Sequence, residues 1–159
     1  MSITCTTQFW DFFKPLAESV DGINTVNRSG GDKMDRLLAN SRNEDIYPAA
    51  FLLRPKYHIE DNGAGLSTAW FDTTFYIICV GDMGDEYDED AAFDQAEALA
   101  TDLAVKLQGA HETNYLVVAA PEVKIFMEPV SMVTLEASYG YEVKLRIGLL
   151  VNSVIFSNN

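Results

Sequence analysis

The chain has 159 residues, with 11 Lys plus Arg against 24 Asp plus Glu, a formal net charge of −13 at pH 7. At 48% hydrophobic and 22% charged residues, the composition is globular, which excludes a disordered chain, a disulfide mini-scaffold and a coiled coil. The acidic balance opposes any function that wraps a polyanion, because phosphate binding draws on clustered Lys and Arg.

The first predicted element is a helix. Thr7 is the expected N-cap, and Phe9, Phe12, Phe13, Leu16, Ala17 and Val20 follow three- and four-residue spacings on one face. Pro15 removes a hydrogen bond inside it, so a kink or a later start is expected. Gly22 stands where a C-terminal cap belongs. Residues 23–26 read as a short strand, and Arg28-Ser29-Gly30-Gly31-Asp32 as a loop. With Met34, Leu37 and Leu38 as apolar anchors, 29–47 reads as a polar surface excursion.

Ala49-Ala50-Phe51-Leu52-Leu53 is a continuous apolar run of the length of a buried strand. The turn Asp61-Asn62-Gly63-Ala64-Gly65 joins 51–60 to 66–80 as a hairpin, and Pro55 requires an edge, a bulge or a break on its first arm. In the second arm Ala69, Phe71, Thr73, Phe75, Ile77 and Cys79 make one face and should meet the core. Trp70, Asp72, Thr74, Tyr76, Ile78 and Val80 make a mixed second face, too apolar at its end for open solvent.

An acidic loop over 81–90 leads to a helix over 91–107, with Asp90 as its cap. Ala92, Ala96, Leu99, Ala100, Leu103, Ala104 and Leu107 form its apolar stripe. Strands are expected at 115–119, 123–127, 131–137 and 141–151, with Ser138-Tyr139-Gly140 as a tight turn between the last two. The fold class that results is α+β: a single antiparallel-rich mixed sheet with helices packed on one face, as one domain over 1–159.

No motif carries catalytic chemistry. His58 and His111 lack partners at metal-ligand spacing, no Gly-x-Ser-x-Gly elbow is present, and Gly63-x-Gly65 precedes a strand where a dinucleotide fingerprint needs a helix. Nine acids and no base lie between Gly81 and Val105, but Asp82 to Asp88 lacks the calcium-loop pattern and its glycine. Neither metal nor cofactor is expected. Cys5 and Cys79 read as free thiols of a reducing cytosol. No apolar run exceeds the six residues of Phe75 to Val80, far short of the roughly 20 residues of a membrane helix, and the N-terminus lacks the basic and apolar regions of a signal peptide.

The order of elements carries a resemblance. It is an N-terminal amphipathic helix, a polar excursion, Tyr47-Pro48-Ala49-Ala50-Phe51, and a hairpin with Thr74-Phe75-Tyr76-Ile77-Ile78-Cys79-Val80. An acidic loop, a helix, and Glu128-Pro129-Val130 before two strands complete it. Over roughly 7–151 this resembles the tail terminator, or tail completion, proteins of long-tailed bacteriophages and related minor tail and neck proteins. The resemblance implies a non-enzymatic virion protein of the tail or neck, assembled in the host cytoplasm. It would form a homo-oligomeric ring, typically a hexamer, that caps the tail tube, ends its polymerisation and meets the head connector. It implies neither membrane nor sequence-specific nucleic-acid binding.

Ring closure requires two different patches to meet. The expected interface residues are Tyr76 and Ile78 on the mixed sheet face, and Asp85, Glu86, Asp88 and Glu89 of the acidic loop against Arg28, Lys33, Arg36 and Arg42 of the next subunit. Two alternatives are a cytosolic protein-interaction module using the same sheet face, and a small enzyme whose site assembles only in the fold.

Overall fold

The computed structural model describes residues 3–29, 46–81, 86–133 and 137–157. The elements run α1 (Cys5–Glu18), β1 (Thr25–Ser29), β2 (Ala49–Leu53), β3 (Lys56–Asp61), β4 (Ser67–Val80) and α2 (Glu86–Gly109). After a short 3-10 turn, Ala110–Glu112, come β5 (Val117–Val118), β6 (Phe126–Val133), β7 (Ala137–Leu150) and α3 (Asn152–Ser157). The fold is α+β, as the sequence leads one to expect: among the described residues, one mixed, mostly antiparallel seven-stranded sheet with three helices packed against it.

Two long strands form the spine. β4 and β7 pair antiparallel from Thr68↔Leu150 to Val80↔Ser138. Each long strand then has two short partners end to end along its outer edge. β2 and β3 both pair antiparallel with β4, and the break between them falls at Arg54-Pro55, where proline cannot donate to a ladder. β6 and β5 divide the outer edge of β7 in the same way. β1 adds to β2 in parallel, the only parallel pair among the described strands.

The helices cover one face. Phe9 and Phe13 of α1 sit over Phe71 and Phe75 of β4, with ring centroids 4.5 and 5.8 Å apart. The α2 stripe Ala92, Ala96, Leu99, Ala100, Leu103, Ala104 and Leu107 is buried in the same cluster, with Val143, Leu145, Ile147 and Leu149 of β7. Every residue predicted for the inward face of β4, from Ala69 to Cys79, is buried. The alternation of side chains along a strand made that face legible.

Several boundaries differ from expectation, each for a local reason. α1 starts earlier: Thr4 is the cap, its hydroxyl accepting from the Thr7 N–H at 3.0 Å. The helix runs on through Pro15, because Pro15 and Asp11 lie on the exposed side, where water can serve the carbonyl that lacks its N–H partner. α2 starts at Glu86, so part of the acidic run is helix and Asp90 lies inside it; acidic side chains in a first turn suit the positive end of the helix dipole.

Ser138-Tyr139-Gly140 is not a turn. It lies in β7, where Gly140 pairs with Ile78 on one side and Val130 on the other. A Cβ at Gly140 would fall on the Ile77 carbonyl oxygen, so this glycine serves close strand approach. The expected strand at 115–119 shrinks to Val117–Val118, and the last hairpin is β6 with β7. The segment 29–47, with Met34, Leu37 and Leu38, lies almost wholly outside the described residues.

Candidate functional site: the outer face of the sheet

The face of the β4–β7 ladder turned away from the helices carries a sequence of unlike side-chain pairs. Trp70 lies over Gly148, where a Cβ would come within 2.6 Å of its ring. Next, Asp72 opposes Arg146, and the Arg146 Nε–H donates to Asp72 Oδ1 at 3.1 Å, with Nη2 at ion-pair distance, 3.1 Å, from the same oxygen. Thr74 opposes Lys144, and Tyr76 opposes Glu142. The Tyr76 hydroxyl donates to Glu142 Oε2, while Lys144 lies 3.5 Å from Glu142 Oε1. Burial and the neighbouring carboxylate hold the Tyr76 hydroxyl protonated, its pKa pushed up to about 12.

Past Tyr76 the face turns apolar. Ile78, Tyr47, Ala49 and Phe51 form a second small core, with Ile46, Tyr76, Val80 and Val130 packed around it. Ile78 is 0% exposed, so it belongs to the subunit's own packing and not to an open patch. Tyr76 stays half-buried at the border between this core and the polar stretch.

Above the polar stretch lies a groove of about 540 Å³, bounded by Asp72, Thr74, Lys144 and Arg146 on the ladder and by Pro121, Glu122, Lys124 and Phe126 beyond it. Phe126 is 62% exposed. Each cation here stands within ion-pair distance of a carboxylate: Lys124 with Glu122 at 3.1 Å, Lys144 with Glu142, and Arg146 with Asp72. The groove is therefore near neutral in a strongly acidic chain. It offers paired charges, the Thr74 hydroxyl and an aromatic ring, which is the chemistry of a binding surface. Its lining holds neither histidine nor cysteine, so it lacks an imidazole base or a thiol nucleophile.

The predicted interface residues do not gather in one place. Arg28 leaves the sheet edge to stack over the Trp10 ring, with its guanidinium carbon 5.3 Å from the centroid. Glu86, Asp88 and Glu89 sit in the first turns of α2. Asp88 lies near β4's end, around a second cavity of about 390 Å³ with Tyr47, Val80 and Gly81. Lys33, Arg36, Arg42 and Asp85 lie outside the described residues.

The two histidines are surface groups: His58 pairs with Glu60 at 2.9 Å, and His111 Nδ1 is 3.0 Å from the Gln108 carbonyl. Both cysteines are free and buried, and burial raises the Cys79 thiol to about 12. Among the described residues no group of three or more His, Cys, Asp or Glu is placed to hold a metal ion, and no helix is long and apolar enough to cross a membrane.

Sequence reasoning placed Tyr76 on the right face but missed Lys124, Phe126, Lys144 and Arg146. The alternation of Glu142, Lys144 and Arg146 against an apolar face was a signal for part of that set. Nothing in the sequence brought Lys124 and Phe126 to it. No protein-family model matches the chain, and no curated protein matches it.

Proposed function

We propose that the protein is a structural virion subunit of the tail-terminator kind. It would form a ring, a hexamer by the resemblance, that caps the tail tube, ends its growth and joins the tail to the head connector. The observation that supports this reading is one-sided coverage of the sheet. The helices bury one face of the β4–β7 spine, while the other keeps a polar, partly aromatic surface along the same two strands. A subunit that closes a ring needs a rigid scaffold with two unlike patches, since head-to-tail contacts are heterologous. Here the patches would be the acidic residues Asp85, Glu86, Asp88 and Glu89 and the basic residues Arg28, Lys33, Arg36 and Arg42 of the neighbour.

The deciding experiment is electron microscopy of the purified protein mixed with tail tubes. Capped tubes of uniform end structure are the expected result, and tubes left bare would reject the reading. Serine at Asp85, Glu86, Asp88 and Glu89 together should weaken capping while circular dichroism shows the subunit still folded. Wild-type capping should also weaken with salt, because exposed charge pairs are screened over about 8–10 Å at physiological ionic strength.

A second reading, a protein-binding module outside any virion, draws on the groove beside Phe126. It separates from the first by a partner that protects Lys124 and Lys144 from acetylation when no tube is present.

A further inference from the structure

We infer that β3 is an interface strand, pairing antiparallel with β3 of a second copy about a two-fold axis normal to the sheet. The proposal is independent of the virion reading.

All six residues of β3 are exposed, and among the described residues β4 is its only strand partner. On its β4 side the Asn62 N–H donates to the Leu66 carbonyl at 2.9 Å. That bond continues the β3–β4 register, Asp61↔Ser67 to Lys56↔Asp72. Hydrogen-bonded pairs alternate along an antiparallel ladder, so 56, 58 and 60 turn their backbone groups to β4. Residues 57, 59 and 61 turn theirs away from β4. An edge of this kind is a template for another strand. It also presents two large apolar side chains, Tyr57 at 39% and Ile59 at 46% exposure.

The strand is self-complementary. A two-fold normal to the sheet keeps each face continuous, so opposed residues must share a face. With His58 opposite itself, Tyr57 stands opposite Ile59 of the other copy on the helix-covered face, and Lys56 opposite Glu60 on the outer face. An aromatic residue against a β-branched one, and opposite charges face to face, are the favourable cross-strand pairs. The backbone agrees, since 57 and 59 are the outward-pointing positions and bond each other. Sliding the register by one pleat in either direction loses this. One way sets the Tyr57 ring against the charged Asp61; the other sets Ile59 against Pro55, which has no N–H to give. Tyr57 is braced for the role by its ring, 5.0 Å from Phe71.

The test is sedimentation velocity of the full chain with one cross-link. Wild type should sediment as a dimer at high micromolar concentration, and Ile59→Lys as a monomer with unchanged circular dichroism. Lys56→Glu and Glu60→Lys should each raise the dissociation constant at least tenfold, and the double swap should restore it. His58→Cys should form an intermolecular disulfide under mild oxidation. The symmetric position is a non-hydrogen-bonded pair, with Cα atoms about 4.5 Å apart, within disulfide reach. Wild type, whose cysteines are buried, should not cross-link. A monomeric wild type, an oligomer indifferent to Ile59→Lys, or a dimer in which His58→Cys stays reduced would each overturn the proposal.

Discussion

The two faces of β4 are written in the same fourteen residues and held by different physics. On the helix-covered face, Phe71, Phe75 and Ile77 are fully buried among aromatic and aliphatic neighbours, where burial contributes about 25 cal/mol per Å² of apolar surface. On the other face, Asp72 and Tyr76 are held by an ion pair and a hydrogen bond to β7, contacts that remain partly open to water and contribute little net stability. The difference teaches that the covered face, with the small core around Ile78, makes the fold, and that the polar stretch of the outer face is free to change. A recognition surface belongs on the second, because its side chains can be rewritten without unfolding the subunit.

Adjacent residues test this most directly. Phe71→Ala should destabilise by about 3–5 kcal/mol, the range for deleting a buried aromatic side chain, read from chemical denaturation. A loss under about 1 kcal/mol would mean that the covered face is not the core.

Gly140→Ala sharpens the comparison from the backbone side. Its new methyl has no space between β4 and β7, so a loss of about 1–3 kcal/mol is expected, as for overpacking elsewhere, although alanine suits a strand better than glycine. An unchanged midpoint in urea would show that the two strands can move apart at no cost.

A smaller effect belongs to alkaline pH. The Tyr76 hydroxyl ionises at about 12 in the folded chain against 10.0 for a free tyrosine. Below the lower value both states hold the proton and the shift contributes nothing to pH dependence. Above it the unfolded chain releases the proton first, so stability falls as pH rises from 10 towards 12. Cys79 acts with the same sign from 9.0 upward. The difference between wild type and Tyr76→Phe isolates the tyrosine: the wild-type curve should fall more steeply in that window, and parallel curves would remove Tyr76 as the cause.

The smallest expected change is at Asp72→Ala. It leaves Arg146 unpaired at a half-exposed site, so a loss of about 0.2–1 kcal/mol is expected by thermal melting. A loss as large as that of Phe71→Ala would erase the distinction between the faces.

Wherever a local rule had one solution, the sequence alone was enough. Period-two alternation in 69–80 assigned both faces of β4, the α2 stripe predicted its buried residues, Pro55 marked the break between β2 and β3, and glycines marked the turn before β4, where Gly63 and Gly65 both take positive φ. These are short-range effects of sterics and periodicity. The tertiary structure decided the rest. Gly140 is needed for strand approach and not for a turn, a choice visible only when Ile77 is seen beside it. From Glu86 onward the acidic run is helix, continuous with the stripe that docks on the sheet from Ala92. Ile78 left the candidate surface because Phe51 and Tyr47, distant in the chain, close over it. Lys124 and Phe126 joined the outer groove, and β3 pairs with β4 alone among the described strands, because β4 and β7 each divide one edge between two short strands. Such placements depend on pairings far apart in sequence, which no local pattern encodes, and they are where the candidate surfaces lie.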